Sequence, residues 1–294
     1  MASRPQLGRI GIWSSAFWTE REDAQGAARE LERLGYGALW FPNRDEAFDR
    51  ARELLDATRQ IVVATGIVNI WTHPAEQAAA AHHALTQAHP GRFLLGLGVS
   101  HAHLVDHGQA GRYRKPVERM LSYLDALDTA TPAPVPADER ILAALGPRML
   151  DIARTRSAGA HPYLTTVEHT RQARAALGAG PLLAPEQGVV LATDPTEARR
   201  IARLHLARYL QAPNYANNWR RLGFTEEDIA DGGSDRLVDA LIAWGDVDAI
   251  RARVAAHVEA GADHVCLQAL TEDPAAIPYE VWRALAPLAT ATNL

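Results

Sequence analysis

The sequence predicts an α/β fold: a (β/α)8 TIM barrel with a helical insertion before the last strand. Short apolar segments, typical of strands buried on both faces, alternate eight times with helical segments that are amphipathic or rich in alanine. With 294 residues and 47% hydrophobic content, the chain is long enough for one barrel-sized core. We therefore expect a single domain over residues 1–294, with the insertion at about 213–244.

The expected strands are apolar and bounded by glycine, proline or polar residues. They cover residues 9–13, 38–41, 61–67, 93–99, 140–145, 159–164, 187–192 and 264–270. Proline stands at the expected start of several helices, where its missing N–H costs no hydrogen bond. The helices are expected at 20–34, 47–58, 74–88, 116–130, 147–157, 167–177, 195–210, 246–261 and 278–288.

The fourth strand is the most informative one. Gly96 and Gly98 are two residues apart in it, so they lie on the same face and leave room there. Because two glycines weaken a strand, we expect another group to pack or bind against that face. The apolar run stops at Ser100 and His101, at the carboxyl end where parallel barrels bind their ligands.

Composition excludes several classes of protein. A net charge of −5 argues against nucleic acid or a membrane surface as the main partner. Cys266 is the only cysteine, so no disulfide framework or thiolate cluster is expected. Lys115 is the only lysine, which argues against a P-loop and a Schiff-base aldolase. No apolar run suggests a signal peptide or a membrane span, so we expect a cytoplasmic protein with a small-molecule substrate.

The expected strand ends carry polar and aromatic residues and almost no carboxylates or amines. These residues are Trp13, Ser14, Asn43, Asn69, Ser100, His101, Gly146, Pro147, Arg148, His161, Tyr163 and Gln268. Acid–base chemistry by the protein alone needs titratable groups at these positions. Their scarcity indicates that an organic cofactor supplies the reactivity and that the protein supplies shape.

The segment Gly146-Pro147-Arg148 predicts a phosphate site. A proline in the first helical turn after a glycine leaves backbone N–H groups exposed at a helix N-terminus, where they bind anions. Arg148 adds a charged donor. Many helices that bind no ligand also begin with Gly-Pro, so this pattern alone is equally typical of a helix start with no binding role.

A metal site is the weaker interpretation of the histidines near the strand ends. His101 and His103 form a His-x-His pair, a pattern found in zinc sites. His73, His107 and His161 belong to the same group of candidates. Because no Asp or Glu accompanies them at the expected strand ends, we expect no metal. A metal-dependent hydrolase remains an alternative.

Four segments resemble the bacterial luciferase-like superfamily, and within it most closely the actinobacterial coenzyme F420-dependent oxidoreductases. They are Gly35-Tyr-Gly-Ala-Leu-Trp-Phe-Pro42, Val63-Ala-Thr-Gly-Ile-Val-Asn69, Pro90-Gly-Arg-Phe-Leu-Leu-Gly-Leu-Gly-Val-Ser-His101 and Ala144-Leu-Gly-Pro-Arg-Met-Leu150. The resemblance covers nearly the whole chain in the right order. It implies a deazaflavin, or alternatively FMN, across the mouth of the barrel.

The resemblance also implies roles for individual residues. The ring of the cofactor is expected to lie against the third strand, with a non-proline cis peptide at Gly66-Ile67. Its phosphate is expected at Gly146, Pro147, Arg148 and Met149, and Asn43, Asn69 and Ser100 are expected to contact it as well. His101 is the expected catalytic residue beside the ring, where an imidazole either donates a proton or holds the ring carbonyl. The alternative is a capping or solvent-facing histidine.

The resulting interpretation is an F420-dependent oxidoreductase that transfers a hydride to or from an unidentified organic substrate. Trp13, Ser14, His161, Tyr163 and Gln268 are expected to form the substrate pocket. Two tryptophans of the insertion, Trp219 and Trp244, fit either this pocket or the core equally well. The alternatives are an FMN-dependent monooxygenase, the hydrolase, and a non-catalytic relative that binds the cofactor. We also expect a homodimer, through the alanine-rich face of the helix at 75–88.

Overall fold

The computed structural model describes residues 4–106 and 111–291. Its strands are β1 Ile10–Trp13, β2 Ala38–Phe41, β3 Val62–Thr65, β4 Val68–Asn69, β5 Phe93–Gly98, β6 Arg140–Leu142, β7 Gly159–Ala160, β8 Leu182–Leu183, β9 Glu186–Val190, β10 Ile242–Trp244 and β11 Val265–Ala269. Every strand pairing in this part of the chain is parallel. The predicted α/β barrel is therefore confirmed.

The helices alternate with these strands. They are α1 Arg21–Arg33, α2 Ala47–Ala57, α3 Ala75–Ala88, α4 Ala102–Val105, α5 Pro116–Asp128, α6 Pro147–Arg156, α7 Val167–Leu177, α8 Pro195–Leu210, α9 Pro213–Arg221, α10 Glu226–Ile229, α11 Asp235–Leu241, α12 Val247–Glu259 and α13 Tyr279–Thr290. The main core lies between these helices and the sheet and includes the fully buried Phe93 and Trp282, whereas Trp40 belongs to a second cluster on the other face of the strands. None of the helices in the described ranges is long and apolar enough to span a membrane.

The sheet follows the order β10-β9-β11-β1-β2-β3-β5-β6-β7-β8, with β4 also paired to β5. The segment 182–190 closes the barrel, because its first part pairs with β7 and its second part with β11. The N–H of Ala184 donates to the Ala160 carbonyl at 2.9 Å, and the carbonyl of Pro185 accepts from the N–H of Cys266 at 2.9 Å. The segment was expected only as a strand at 187–192. Pro185, which cannot donate to a ladder, lies between β8 and β9.

The third predicted strand, at 61–67, is interrupted in the structure. It divides into β3 and β4, with Gly66 and Ile67 between them. Here the Thr65 hydroxyl donates to the Gly96 carbonyl at 2.9 Å and accepts from the Gly96 N–H at 2.8 Å, so a side chain replaces part of the ladder. An ideal Cβ on Gly96 would lie 1.8 Å from the Thr65 carbonyl oxygen, which explains why glycine is required there.

The predicted insertion is helical, but its boundary at residue 244 is wrong. Helix α11 passes directly into β10, which pairs in parallel with β9 at the edge of the sheet. The three-residue apolar segment was too short to distinguish from a helix by periodicity. The predicted strands at 140–145 and 159–164 are also shorter, since β6 ends at Leu142 and β7 at Ala160.

The alanine-rich helix α3 packs against its own barrel. Ala75, Ala78 and Ala79 are buried in the main core. The small residues that suggested close packing with a second copy therefore already have neighbours within the chain. They give no support to the homodimer, which stays a prediction.

Candidate functional site

A cleft of about 340 Å³ opens at the carboxyl ends of the strands. Its lining comprises Trp13, Pro42, Asn43, Gly66, Ile67, Gly98, Val99, Ser100, His101, Leu104, Tyr113, Ala143, Ala144, Leu145, Gly146, Met149, His161, Tyr163, Tyr209, Asn214 and Tyr215. This volume is within the range of roughly 300–1,000 Å³ typical of small-molecule sites. Histidine is the only readily protonated side chain among these residues, and no Asp, Glu, Lys or Arg of the described ranges is present.

Glycines shape the floor of the cleft. An ideal Cβ on Gly66 would lie 2.5 Å from Nε1 of Trp13, and that indole N–H donates to the Gly66 carbonyl at 3.2 Å. An ideal Cβ on Gly98 would lie 2.5 Å from Cδ1 of Ile67. Gly96 and Gly98 of β5 were expected to leave room on one face of the strand. The Thr65–Ile67 segment fills part of that room. The peptide bond between Gly66 and Ile67 is cis, as the resemblance implied.

His161 forms the deepest polar part of the cleft. Its Nδ1 donates to the Ala184 carbonyl at 2.7 Å, so Nε2 carries the lone pair. Nε2 is buried without a hydrogen-bond partner in the described structure, and it lies 3.4 Å from the position of a Cβ on Gly66. Burial lowers the pKa of His161 to about 4, which keeps the imidazole neutral. The ring stacks on Trp40 with centroids 4.2 Å apart, which fixes its plane.

His101 lies at one edge of the cleft and is half-buried. Its Nδ1 is 2.9 Å from Oδ1 of Asn214, an oxygen that can only accept, so Nδ1 is the donor. This hydrogen bond joins the end of β5 to helix α9 of the insertion. The preceding Ser100 has a φ of 56°, which turns the chain into α4.

Aromatic side chains form the wall opposite the floor. The Tyr163 hydroxyl donates to Oε1 of Gln268 at 2.7 Å and lies 3.2 Å from both Nε2 of His205 and the hydroxyl of Tyr209. Arg208 donates to Nδ1 of His205 at 3.3 Å, so Nε2 carries the proton and donates to Tyr163. Burial raises the pKa of Tyr163 well above its usual range, which keeps the hydroxyl protonated. The phenol is therefore held in one orientation.

Glu186 is a buried carboxyl group behind this wall. Its Oε2 accepts from the Leu164 N–H at 3.0 Å, whereas Oε1 has no partner in the described structure. Burial raises the pKa of Glu186 to about 8, so the group is protonated at neutral pH. Leu164 has a φ of 51°, and its carbonyl accepts from Nε1 of Trp219 at 3.2 Å. Glu186 and Trp219 together therefore hold the turn that positions Tyr163.

The predicted phosphate site lies at the opposite end of the cleft. Gly146 and Met149 line the cleft, while Pro147 and Arg148 are exposed outside it. An ideal Cβ on Gly146 would lie 3.7 Å from Nη2 of Arg221, so a second guanidinium, contributed by α9, lies at the start of α6. The helix begins at Pro147, as expected.

Other predicted residues lie outside the cleft. Asn69 is buried, and its Oδ1 accepts from the Trp71 N–H at 3.0 Å, so it stabilises the turn after β4. Ser14 and Gln268 line a neighbouring pocket instead. Trp219 is a fully buried core residue, and Trp244 donates to Asp239 at 2.8 Å. Neither tryptophan is in the lining of the cleft, and Trp219 has the core role that was the equal alternative.

The histidines considered for a metal site do not form one in the described part of the chain. No group of three His, Cys, Asp or Glu residues there has a suitable arrangement. His107 and the side chain of His103 lie outside the described part of the structure, and His73 is bonded to neighbouring protein groups through both ring nitrogens.

Sequence reasoning missed the residues that the later helices contribute. Asn214, Tyr209 and Tyr215 line the cleft from α8 and α9, and Glu186 supports the wall. A search confined to strand ends could not find them, because helix residues reach the cleft only through tertiary packing. The density of aromatic residues between 209 and 219 was the one available signal.

These features define the class of protein: a parallel α/β barrel with an uncharged cleft at the carboxyl ends of its strands. A family model described as luciferase-like monooxygenase matches residues 9–264. The chain belongs to the luciferase-like monooxygenase family. A search among curated protein sequences finds no significant match.

Solved structures with the same fold cover nearly the whole chain. An F420-dependent secondary alcohol dehydrogenase with an F420-acetone adduct has a TM-score of 0.69 at 16% identity, covering 95% of this chain and 99% of that one. A coenzyme F420-dependent tetrahydromethanopterin reductase from Methanopyrus kandleri has a TM-score of 0.74 at 13% sequence identity, and the match covers 96% of this chain and 97% of that one. The oxygenating constituent of a diketocamphane monooxygenase from Pseudomonas putida, in complex with FMN, has a TM-score of 0.67 at 14% sequence identity, and the match covers 98% of each chain. At these identities the likeness shows the fold.

Proposed function

We propose that the protein is a coenzyme F420-dependent oxidoreductase that transfers a hydride between the deazaflavin and a small organic substrate. The observation that carries the proposal is the lining of the cleft, where the described residues include no carboxylate, amine or guanidinium. Such a lining binds and orients molecules but supplies little acid–base or nucleophilic chemistry. The redox chemistry therefore belongs to a bound cofactor.

The floor of the cleft fits a flat ring. Gly66 and Gly98 have no room for a Cβ, because the side chains of Trp13 and Ile67 pack against them, and together these groups form a closely packed surface beside which a ring would lie. His161 presents an unpartnered Nε2 beside this surface, and Asn43 and Ser100 border it. When bound, the deazaflavin would supply a carbon that accepts or donates a hydride. Gly146, Met149 and Arg148 would hold its phosphate at the start of α6.

His101 is the residue that we assign to proton transfer. It lines the cleft, and its Nδ1 donates to Asn214, which orients the ring. A half-buried imidazole at this position would give a proton to a substrate oxygen or take one from it. The alternative, a purely structural histidine that ties β5 to α9, predicts stability loss without a selective loss of turnover.

An absorbance titration tests the cofactor. We expect purified protein to bind oxidised and reduced deazaflavin at a single site, with a shift in the deazaflavin spectrum. Turnover is then measured with a panel of alcohols and ketones, by following the deazaflavin absorbance. Tight binding of FMN together with no response to deazaflavin would contradict the proposal. Binding of deazaflavin without turnover of any substrate would favour a non-catalytic relative.

The second candidate is an FMN-dependent monooxygenase. The description of the matching family model and the FMN-bound structural relative favour it. The sequence resemblance to the F420-dependent branch supports the first candidate. An FMN monooxygenase would consume oxygen in the presence of reduced FMN, whereas the proposed enzyme would not.

Two further expectations belong to the proposal. We propose a homodimer and a cytoplasmic location, as enzymes with soluble cofactors commonly have. Light scattering at micromolar protein concentration checks the dimer, and a monomer mass would contradict it.

A further inference from the structure

A second pocket, of about 220 Å³, lies beside the cleft. Its lining includes Ser14 after β1, Gln268 of β11, and Leu204, His205 and Arg208 of α8. The two pockets share a wall one side chain thick. Tyr163 lines the cleft, and its hydroxyl bonds to Gln268 and His205, which line the second pocket.

Arg208 gives the second pocket its charge. The guanidinium donates to His205 at 3.3 Å and lies over the Tyr209 ring at 5.1 Å, and in the described structure it forms no ion pair with a carboxylate. Glu272 also lines the pocket, but it is paired with Arg200. His205 is neutral, because burial lowers its pKa to about 3. Arg208 is therefore the cation available to an anionic ligand.

The second pocket also presents apolar surface. Leu204 is 57% exposed, and in the described part of the chain only one other large hydrophobic residue, Leu104 in the lining of the cleft, is as open to solvent. Leu270, Pro274 and Pro278 add further apolar surface. An exposed leucine beside an uncompensated arginine is a typical arrangement for a ligand that is itself apolar at one end and charged at the other.

We infer that the second pocket binds the carboxylate end of an amphipathic organic acid, with the carboxylate on Arg208 and the carbon chain on Leu204. The inference rests on the proposed function, since it assigns this acid as the substrate class. For the other end of the acid to reach the cleft, the Tyr163 side chain that separates the two pockets must move aside. Ser14 and Gln268 were predicted to belong to the substrate pocket, and this inference keeps them there.

The test uses straight-chain acids from butanoate to decanoate and the matching primary amides. Binding to the protein is measured by calorimetry, both with and without deazaflavin. We expect at least one acid to bind roughly tenfold or more tightly than its amide, because a charged hydrogen bond contributes about 1.5–3 kcal/mol. In Arg208→Gln the acid and the amide should bind equally weakly, and Arg208→Lys should recover part of the preference.

Two variants control the test. Arg171→Gln removes the same charge from α7, where Arg171 pairs with Glu168, and should leave acid binding unchanged. Leu204→Asp places a negative charge at an exposed position in the second pocket and should abolish acid binding without unfolding the protein. The inference is overturned if no acid in the series binds, if acid and amide bind equally to the wild type, or if Arg208→Gln retains the preference.

A parallel deazaflavin titration separates the two claims. If deazaflavin binds and no acid does, the inference fails and the proposed function stands. If the acids bind with the expected preference to protein that ignores deazaflavin, the pocket assignment stands and the cofactor assignment fails.

Discussion

The floor and the wall of the cleft are built in different ways. The floor is closely packed at Gly66 and Gly98, whose Cβ positions are taken by the side chains of Trp13 and Ile67, and hydrogen bonds from Trp13 and Thr65 fix it. The wall consists of side chains from the loop after β7, from α8 and from β11, joined by hydroxyl, imidazole and amide hydrogen bonds. The floor has no room for a larger residue at either glycine, whereas the side chains of the wall can change with substitution. We therefore propose that the floor binds the cofactor, that the wall selects the substrate, and that His101, at the edge of the cleft, transfers the proton.

The largest expected effect separates these roles at His101. His101→Ala should lower turnover by roughly 10²–10⁴-fold, the usual contribution of proton transfer, and weaken deazaflavin binding only slightly. Steady-state kinetics and the absorbance titration give the two values. His83→Ala, on α3 and outside the cleft, serves as the control and should change neither. If His101→Ala lost deazaflavin binding and turnover equally, His101 would act in cofactor binding and not in proton transfer.

The opposite pattern is expected at the floor. In Gly66→Ala the new Cβ would lie 2.5 Å from Nε1 of Trp13, so the indole must move and its hydrogen bond to the Gly66 carbonyl is lost. Overpacking of this kind costs about 1–3 kcal/mol, which corresponds to roughly 10–100-fold weaker deazaflavin binding. Gly180→Ala is the matched control, because nothing lies within 4 Å of its Cβ position. If Gly66→Ala bound deazaflavin as tightly as the wild type, the floor would not be part of the cofactor site.

Glu186 tests the support of the wall through pH. Its folded pKa of about 8 is above the ordinary value of 4.5, so folding favours the protonated form, and the stability from this group is lost as pH rises between these values. Glu186→Gln removes this dependence at a slope of up to about 1.4 kcal/mol per pH unit. Urea unfolding should show the variant gaining stability over the wild type from pH 5 to pH 8. If the stability difference between the variant and the wild type did not change with pH, Glu186 would be ionised in the folded protein.

The smallest expected effect is at Arg148. The residue is exposed and lies outside the lining of the cleft, so its contribution to phosphate binding is screened by water. Arg148→Ala should weaken deazaflavin binding by about 1 kcal/mol or less. Deazaflavin binding by this variant should also depend less on salt than binding by the wild type. A titration at low and at high ionic strength measures the difference. A loss as large as that of Gly66→Ala would show that Arg148 folds over the bound cofactor.

The floor was more predictable from sequence than the wall. Gly98 is found by reading a strand face, and His101 at the edge of the cleft by reading the end of the same strand, because a parallel barrel places all its carboxyl ends together. Gly66 was expected from the family resemblance alone. Asn69 stabilises a turn and is not in the lining of the cleft, so its cofactor contact stays a prediction; sequence does not distinguish these two uses of an amide at a strand end. Tyr209 and Tyr215 could not be found, because their place depends on how α8 and α9 pack. Glu186 was missed because the strand at 182–190 was expected to begin after it.

A crystal structure of the protein with oxidised deazaflavin tests the central claim most directly. The account predicts ring density against Gly66 and Ile67, with His101 at its edge and the phosphate near Gly146. Density for the ring in the second pocket, or occupancy of the cleft by FMN in preference to deazaflavin, would contradict it.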